Sequence, residues 1–182
     1  MNRKQFMKDD ESRIYIAPRR SGKTELLANT IDYKCNPVES VYVLSPNIDL
    51  SKEVIKRTTN KNMEILRNAE HMRGHRFDKV FVDELCYLKP QTIDALMKST
   101  KQIVAVSTPH SVSKFPFKKF KIYSDMGGDI SYNGHTISFT EQNTYANSIK
   151  AFCTECGDTI NAKYSVKGYV NAICEIGEEP CH

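Results

Sequence analysis

The sequence lacks any long apolar run. No stretch approaches the roughly 20 apolar residues that a transmembrane helix needs, and the opening MNRKQFMKDDESR has no apolar segment of the signal-peptide kind. Repeats and low-complexity tracts are also missing. The composition, with 40% hydrophobic and 26% charged residues, is ordinary for a globular chain. We therefore expect an intracellular, cytoplasmic protein with no membrane partner, built as one domain with a small appendage.

Neither charge nor cysteine content decides a function by itself. The formal net charge of +4 is too small to establish a nucleic-acid partner. Six cysteines in an intracellular chain are expected to be thiols or metal ligands rather than disulfides.

Short apolar runs alternate with helical patterns through the first two thirds of the chain. Strands are predicted at 13–17, 41–45, 79–85 and 102–108. The intervening segments KTELLANTIDYK, LSKEVIKRT and PQTIDALMKS predict helices, the second capped by Asp49 or Ser51 and the third with Pro90 in its first turn. Continuously apolar strands separated by helices predict an α/β core, with a mainly parallel sheet and helices on both faces.

From about Gly127 the pattern changes. Alternating residues on either side of Asn133-Gly134 predict a β-hairpin with a two-residue turn, and a Cys-containing tail without helical periodicity follows. We expect the α/β core at 1–126 and a small β-rich, Cys-containing extension at 127–182.

The segment APRRSGKT nearly matches the phosphate-loop pattern G-x-x-x-x-G-K-[ST], with Ala17 at the first glycine position. It follows a predicted strand and opens a predicted helix, which is the context that this motif requires. Ser21 and Gly22 would bring backbone amides to the phosphates of ATP, Lys23 would reach the β- and γ-phosphates, and Thr24 would bind Mg²⁺. These residues predict a P-loop NTPase core.

Two later strand ends complete this predicted site. KVFVDEL places Asp83 and Glu84 at the carboxyl end of a buried strand, where Asp83 would hold Mg²⁺ and Glu84 would orient the attacking water. VAVSTPHS ends the fourth strand with Ser107 and Thr108, whose hydroxyls would sense the γ-phosphate or couple its loss to movement. The alternative for this last segment is a strand end followed by a Thr-Pro turn.

Together these segments resemble the ATPase of the large terminase subunit, the motor that packages DNA into tailed-phage and herpesvirus heads. The second strand and helix of that family resemble VYVLSPNIDLSKEV. Its Arg-Gly turn and acidic strand resemble HMRGHRFDKVFVDEL, with Arg73 and Gly74 at the turn, and its coupling motif resembles VSTP. The resemblance covers about 14–109.

The resemblance implies that Lys23 and Thr24 bind ATP and Mg²⁺, that Asp83 binds Mg²⁺ and that Glu84 is the catalytic carboxylate. It also implies that Arg19 contacts the γ-phosphate as an arginine supplied in cis. The implied partners are double-stranded DNA, a homo-oligomeric ring and a viral portal or nuclease, in the cytoplasm of an infected host cell.

The tail has no acidic cluster of the family's nuclease, and the phosphate loop and the acidic strand are close in sequence for this family. We therefore expect a terminase-like motor without a nuclease. The alternatives are a helicase-like, nucleic-acid-dependent ATPase and a non-catalytic nucleotide- or DNA-binding relative of such a motor.

The segment SKFPFKKFKIYSD interleaves lysines with aromatic residues, which suits either of two structures. One is a nucleic-acid contact, with cations for phosphates and rings for bases. The other is an edge strand with its aromatic side chains inward and its lysines outward. The residues concerned are Lys114, Lys118, Lys119, Lys121, Phe115, Phe117, Phe120 and Tyr123.

Cys153 and Cys156 form a C-x-x-C-G knuckle, whose tight turn directs two thiolates toward one metal. Cys174, Cys181 and His182 are the candidates for the remaining ligands of a structural Zn²⁺ site, and free thiols are the alternative. The predicted ligand set is Cys153, Cys156, Cys174 and Cys181.

The remaining histidines and cysteines are assigned no site. The scattered histidines 71, 75, 110 and 135 are interpreted as surface or loop residues, and cysteines 35 and 86 as small fillers of the core.

Overall fold

The computed structural model describes residues 2–17, 20–108, 120–124, 130–143, 148–163 and 166–181. A 3-10 turn at Leu85–Tyr87 accompanies sixteen helices and strands in the described residues. In chain order these are α1 (Asn2–Lys8), β1 (Arg13–Ile16), α2 (Lys23–Lys34), β2 (Val41–Leu44), α3 (Ile48–Arg57), β3 (Met63–Leu66), α4 (Ala69–Met72), β4 (Phe77–Asp83), α5 (Pro90–Ser99), β5 (Thr100–Ser107), β6 (Lys121–Ser124), β7 (Ile130–Tyr132), β8 (His135–Asn143), β9 (Ser148–Cys153), β10 (Thr159–Lys163) and α6 (Val166–Ile176).

The chain forms two compact units. The first comprises Met1–Tyr15, Gly22–Ser107 and Pro116–Tyr123, and the second comprises Ile16–Ser21, Thr108–Phe115 and Ser124–His182. The domain boundary predicted between 126 and 127 stays a prediction. None of the helices in the described ranges combines the length and the apolar character needed to cross a bilayer.

A six-stranded sheet with the order β3-β2-β4-β5-β1-β6 organises the first unit. β2 pairs in parallel with both β3 and β4, and β4 pairs in parallel with β5. Strands that pair in parallel need crossover connections; helices α3 and α5 supply those from β2 to β3 and from β4 to β5, and α2 connects β1 with β2. The sequence prediction of a mainly parallel α/β sheet is confirmed.

The core of this unit lies on both faces of the central strands. In β4, the consecutive residues Val80, Phe81 and Val82 are almost fully buried, and so are residues 104–106 of β5. Because successive side chains of a strand point to opposite faces, such runs require cover on both sides. Helix α2 supplies part of that cover through contacts with β4 and β5, and each fully buried Leu or Ile contributes about 1.5–3 kcal/mol.

The predicted helix 23–34 and the predicted helix 90–99 match α2 and α5 residue for residue. The predicted caps of the helix between them are wrong. α3 begins at Ile48, and its cap is Asn47, whose side-chain oxygen accepts a hydrogen bond from the Leu50 amide at 3.0 Å. An Asn in extended conformation satisfies a free amide of the first turn, which neither Asp49 nor Ser51 can do from inside the helix.

A four-stranded antiparallel sheet with the order β10-β9-β8-β7 organises the second unit. The predicted hairpin is confirmed: β7 and β8 pair in antiparallel register across Asn133 and Gly134, which have φ angles of 47° and 83°. Positive φ at both turn residues gives the twist that matches paired strands, and Asn-Gly tolerates it best.

Helix α6 contradicts the prediction that the tail has no helical periodicity. The helix contacts β8, β9 and β10, and among its residues of described burial Ala172, Ile173 and Ile176 are buried. The apolar residues Val166, Val170, Ile173 and Ile176 recur at helical spacing, so the sequence carries the period of a helix and the prediction failed to recognise it. The helix is followed by Gly177, where a β-carbon would lie 1.8 Å from the ring of Tyr132, so only glycine fits there.

Candidate active site and metal centre

The N-terminus of α2 presents the residues of the phosphate-loop motif. Gly22 precedes the helix in the left-handed conformation, with φ of 76°, which a side chain would strain. Lys23, the first helical residue, is buried, and Thr24 follows it half-buried. The positive end of the helix dipole therefore coincides with a buried lysine, and both favour an anion.

Thr24 and Asp83 are brought together although they lie far apart in the sequence. The Thr24 hydroxyl donates a hydrogen bond of 2.9 Å to Oδ2 of Asp83. Asp83 is fully buried, and its Oδ1 has no hydrogen-bond partner among the described residues. Burial raises the pKa of Asp83 to about 6; neighbouring Glu84 adds to the shift, and the Thr24 hydrogen bond opposes it.

These two residues fit a Mg²⁺ ion. A buried carboxylate oxygen without a partner, beside a second carboxylate oxygen and a hydroxyl, offers the hard oxygen ligands that Mg²⁺ takes. The structure therefore brings together the Thr24 and Asp83 that the sequence predicted as ligands.

Glu84 adopts a strained backbone conformation at the end of β4, with φ and ψ both 51°. Left-handed geometry at a residue other than glycine is uncommon, and such strain concentrates at functional sites. One carboxylate oxygen lies 3.7 Å from the Lys23 ammonium. The other accepts a hydrogen bond of 3.4 Å from the Ser107 hydroxyl.

Ser107 connects two of these strand ends. Its hydroxyl accepts a hydrogen bond of 3.0 Å from the Cys86 amide while it donates to Glu84. The register explains the contact between Glu84 and Ser107. Asp83 at the end of β4 pairs with Val106 of β5, so the residues that follow them lie side by side at the same edge of the sheet. The first unit thus gathers Lys23, Thr24, Asp83, Glu84 and Ser107 from three elements.

Arg3 is a cation beside the phosphate loop that sequence reasoning missed. Its Nη1 lies 3.7 Å from the position that a β-carbon at Gly22 would take, and Glu25 Oε2 lies 3.9 Å from that same position. Its Nε donates a hydrogen bond of 3.4 Å to the buried Tyr15 hydroxyl. A single arginine in a polar N-terminal segment gives no sequence signal of this contact, because it depends on how α1 packs.

Three other predicted site residues, Arg19, Ser21 and Thr108, are not among the described residues of the first unit. Arg19 lies outside the described residues. Ser21 and Thr108 belong to the second unit, the former half-buried and the latter buried, so their roles toward nucleotide stay predictions.

Only the end of the lysine-aromatic segment is described. Residues 109–119, which include Lys114, Lys118, Lys119, Phe115 and Phe117, lie outside the described residues, as does His110. Phe120 and Tyr123 are buried, while Lys121 is exposed and pairs with Asp9. Since β6 ends the strand order, this part fits the edge-strand alternative.

A Cys/His cluster lies in the second unit. The ligand atoms of His135, Cys153, Cys156 and Cys181 all lie within 4.8 Å of one another, and this group could hold a metal ion. The Sγ atoms of Cys153 and Cys181 are 3.7 Å apart, and Cys156 Sγ is 3.5 Å from Nδ1 of His135.

The cluster differs from the sequence predictions at two residues. His135 is 2% exposed and belongs to it, so the interpretation as a surface or loop residue is wrong. Cys174, on α6, is not part of it; burial raises the pKa of that thiol to about 11. His182 lies outside the described residues. His135 follows the Asn-Gly turn, and only the folded sheet brings that turn to the knuckle, so ligand spacing gave no sign of it.

The first unit thus has an α/β fold consistent with a P-loop-like core, and the second adds a small antiparallel sheet with a cysteine-rich cluster. No protein-family model matches the sequence, and no curated protein matches it either. Among solved structures, that of a DnaB-like replicative helicase and its interactions with primase matches this chain over 88% of its length. This chain spans 57% of the helicase chain, at 13% identity and a TM-score of 0.39. The fold assignment therefore depends on strand order and site geometry, and the terminase resemblance stays a prediction from the motifs.

Proposed function

We propose that this chain is a Mg²⁺-dependent P-loop ATPase that resembles the terminase packaging motor and acts on double-stranded DNA. The observation that carries the proposal is the buried Asp83: its Oδ2 accepts a hydrogen bond from Thr24 at the start of α2, and its Oδ1 has no hydrogen-bond partner among the described residues. A structural carboxylate would be expected to satisfy both oxygens, because burying a polar atom without a partner costs about 1–3 kcal/mol.

Each residue has a distinct part in the proposed reaction. The α2 N-terminus with Gly22 would cradle the phosphates, and Lys23 would leave Glu84 to neutralise the β- and γ-phosphates of ATP. Mg²⁺, when bound, supplies charge neutralisation to the phosphate oxygens. Glu84, once released from Lys23, would accept a hydrogen bond from the attacking water and align it with the γ-phosphate.

The Lys23 ammonium lies 3.7 Å from a Glu84 carboxylate oxygen. In the proposed reaction the phosphates of ATP would compete with Glu84 for this ammonium, which would strengthen the carboxylate as an acceptor for the attacking water. Ser107 would keep the released carboxylate in place through its hydrogen bond, and the Cys86 amide in turn orients the Ser107 hydroxyl. This arrangement supports a role for the end of β5 in coupling the site to movement.

A basic concave surface supports a nucleic-acid partner. The turn after α4 and the exposed side of α5 line it, and the lining includes Arg73, His75, Arg76 and Lys98, with Asp94 as an acidic member. Phosphate backbones bind such surfaces by counterion release. A homo-oligomeric ring, a portal or nuclease partner and a cytoplasmic location in an infected cell remain parts of the terminase-like proposal.

Phosphate release from ATP, measured with Mg²⁺ and with either double-stranded or single-stranded DNA, tests the proposal. A motor of the proposed kind should require Mg²⁺ and be stimulated by double-stranded DNA. Stimulation by single strands alone would favour the helicase-like alternative. ATP binding without phosphate release under all conditions would favour the non-catalytic alternative and overturn the proposed activity.

A further inference from the structure

We propose that the second unit binds one structural Zn²⁺ ion through Nδ1 of His135 and the sulfurs of Cys153, Cys156 and Cys181. Three sulfurs and one imidazole nitrogen are a set that favours Zn²⁺ and fills its four tetrahedral positions. This site shares no residue with the nucleotide site, so the two proposals stand or fall separately.

Two distances in the cluster match a tetrahedral zinc site, and all four ligand atoms lie within 4.8 Å of one another. Two sulfurs that each lie about 2.3 Å from a tetrahedral centre are about 3.8 Å apart, and a sulfur and an imidazole nitrogen are about 3.5 Å apart. The corresponding distances here are 3.7 Å between the sulfurs of Cys153 and Cys181 and 3.5 Å between Cys156 Sγ and His135 Nδ1. The sulfur pair is far beyond disulfide bonding distance, which is about 2.05 Å.

The hydrogen bonding of His135 prepares its Nδ1 for a metal. Nε2 lies 2.9 Å from the carbonyl oxygen of Glu179. A carbonyl oxygen can only accept, so Nε2 must carry the proton and Nδ1 of the neutral ring keeps its lone pair. Outer contacts of this kind fix the tautomer and the orientation of histidine ligands in metal sites.

The knuckle is likewise shaped for a thiolate. The Glu155 amide points at Cys153 Sγ with a distance of 3.4 Å, and Gly157 takes a φ of 81° to close the turn. Amide hydrogens aimed at a sulfur favour its ionised form, and zinc binds that form. The Cys156 thiol now donates to Oδ2 of Asp158 at 3.1 Å; its proton would leave on metal binding, and the exposed Asp158 side chain would turn to water.

The four ligands come from three separate parts of the second unit: the start of β8, the turn between β9 and β10, and the segment after α6. The last segment is already positioned, because the Cys181 amide donates a hydrogen bond of 3.2 Å to the carbonyl oxygen of Asn133 in the hairpin turn. A metal bound by all three would connect the hairpin, the knuckle and the end of α6. With four protein ligands it has no open position for a substrate, so its role is structural.

The test is elemental analysis of the full chain purified under reducing conditions, together with titration by Co²⁺ as a spectroscopic probe. The wild type should hold about one zinc per chain, and Co²⁺ should give the visible bands of a tetrahedral thiolate site. Cys156→Ser and Cys181→Ser should lose the zinc and these bands. Cys174→Ser is the matched control and should keep both, because Cys174 lies outside the cluster.

His135 separates this ligand set from the one that sequence spacing suggests. His135→Ala should lose the metal, whereas His135→Cys should retain it with a Co²⁺ spectrum shifted toward four thiolates. A reduced wild type that binds neither Zn²⁺ nor Co²⁺ would overturn the proposal. So would a Cys174→Ser variant that stays folded by circular dichroism yet loses its metal as Cys181→Ser does.

Discussion

The central strands of the parallel sheet bury runs of consecutive residues, such as Val80–Val82, whereas the antiparallel sheet buries separated positions such as Ile137, Ala151 and Cys153. The first pattern places a core on both faces of the sheet, and the site then assembles where parallel strands end. In the described residues of the second unit, close packing at Gly177 and the Cys/His cluster add to these separated buried positions. Strand pattern therefore specifies the first unit, while long-range contacts between turns specify the second.

The largest expected effect is on chemistry in the first unit. Lys23→Ala removes the cation that would neutralise the phosphates, so ATP turnover should fall by about 10²- to 10³-fold. Lys34→Ala, at the other end of the same helix, is the control: Lys34 pairs with exposed Asp10 and should leave turnover near the wild-type rate. Equal turnover in the two variants, measured as steady-state phosphate release, would break the assignment of Lys23.

A second change tests packing in the second unit. Gly177→Ala puts a methyl group where the buried ring of Tyr132 already lies, so we expect a loss of about 1–3 kcal/mol in unfolding free energy. Hydrogen exchange should then accelerate in β7–β10 and α6. Glu178→Ala, one residue on and exposed, should leave exchange unchanged. Unaltered protection in Gly177→Ala would show that Tyr132 can move aside.

DNA binding should depend on the basic surface of the first unit. Arg73→Glu combined with Arg76→Glu should weaken binding and reduce the slope of log affinity against log salt by about 0.9 for each phosphate that is no longer neutralised. Lys56→Glu with Lys61→Glu makes the same charge change at exposed positions elsewhere and serves as the control. If both double variants bind DNA equally well at each salt concentration, the basic surface is not where DNA binds.

The smallest expected effect concerns the edge strand of the first unit. Burial raises the pKa of Asp9, but hydrogen bonds from Lys121 and Tyr123 outweigh it and hold that pKa below its ordinary 3.8. The folded state therefore binds a proton at Asp9 less tightly than the unfolded state does. The stabilisation of the fold by the ionised Asp9 side chain is present above pH 3.8 and is lost as the pH falls below that value.

Asp9→Asn should accordingly lower Tm by roughly 2–4 °C at neutral pH, and the difference from wild type should shrink as the pH falls below 3.8. Thermal melts of both proteins across that range measure it. A difference that is constant with pH would exclude the Asp9 charge as its source.

Much of the first unit follows from local patterns in the sequence. Four of its strands and three of its helices were predicted, because each carries a continuous apolar run or a helical period. The strand β3 was missed since its four residues, MEIL, are mostly half-exposed and give a short signal. The location of Asp83 and Glu84 at the same edge of the sheet as the end of β5 could be predicted, because parallel strands bring their carboxyl ends to one edge.

The remaining contacts in the two candidate sites could not be predicted from the sequence. The left-handed turn at Glu84 and the position of Arg3 beside Gly22 depend on tertiary packing. His135 was missed and Cys174 was chosen in its place, because a C-x-x-C spacing indicates a knuckle but says nothing about which distant turn the sheet will bring to it. Local motifs predict half of such a site, and topology decides the rest.

The most direct test of the central claim is single-turnover phosphate release by Glu84→Gln, with Mg²⁺·ATP binding measured on the same protein. Glutamine keeps the size of the side chain but removes the charge that would orient and polarise water. We predict wild-type-like or tighter ATP binding, with phosphate release slowed by about 10²-fold or more. Phosphate release at the wild-type rate would contradict this prediction, because the ATP hydrolysis observed would then not depend on Glu84.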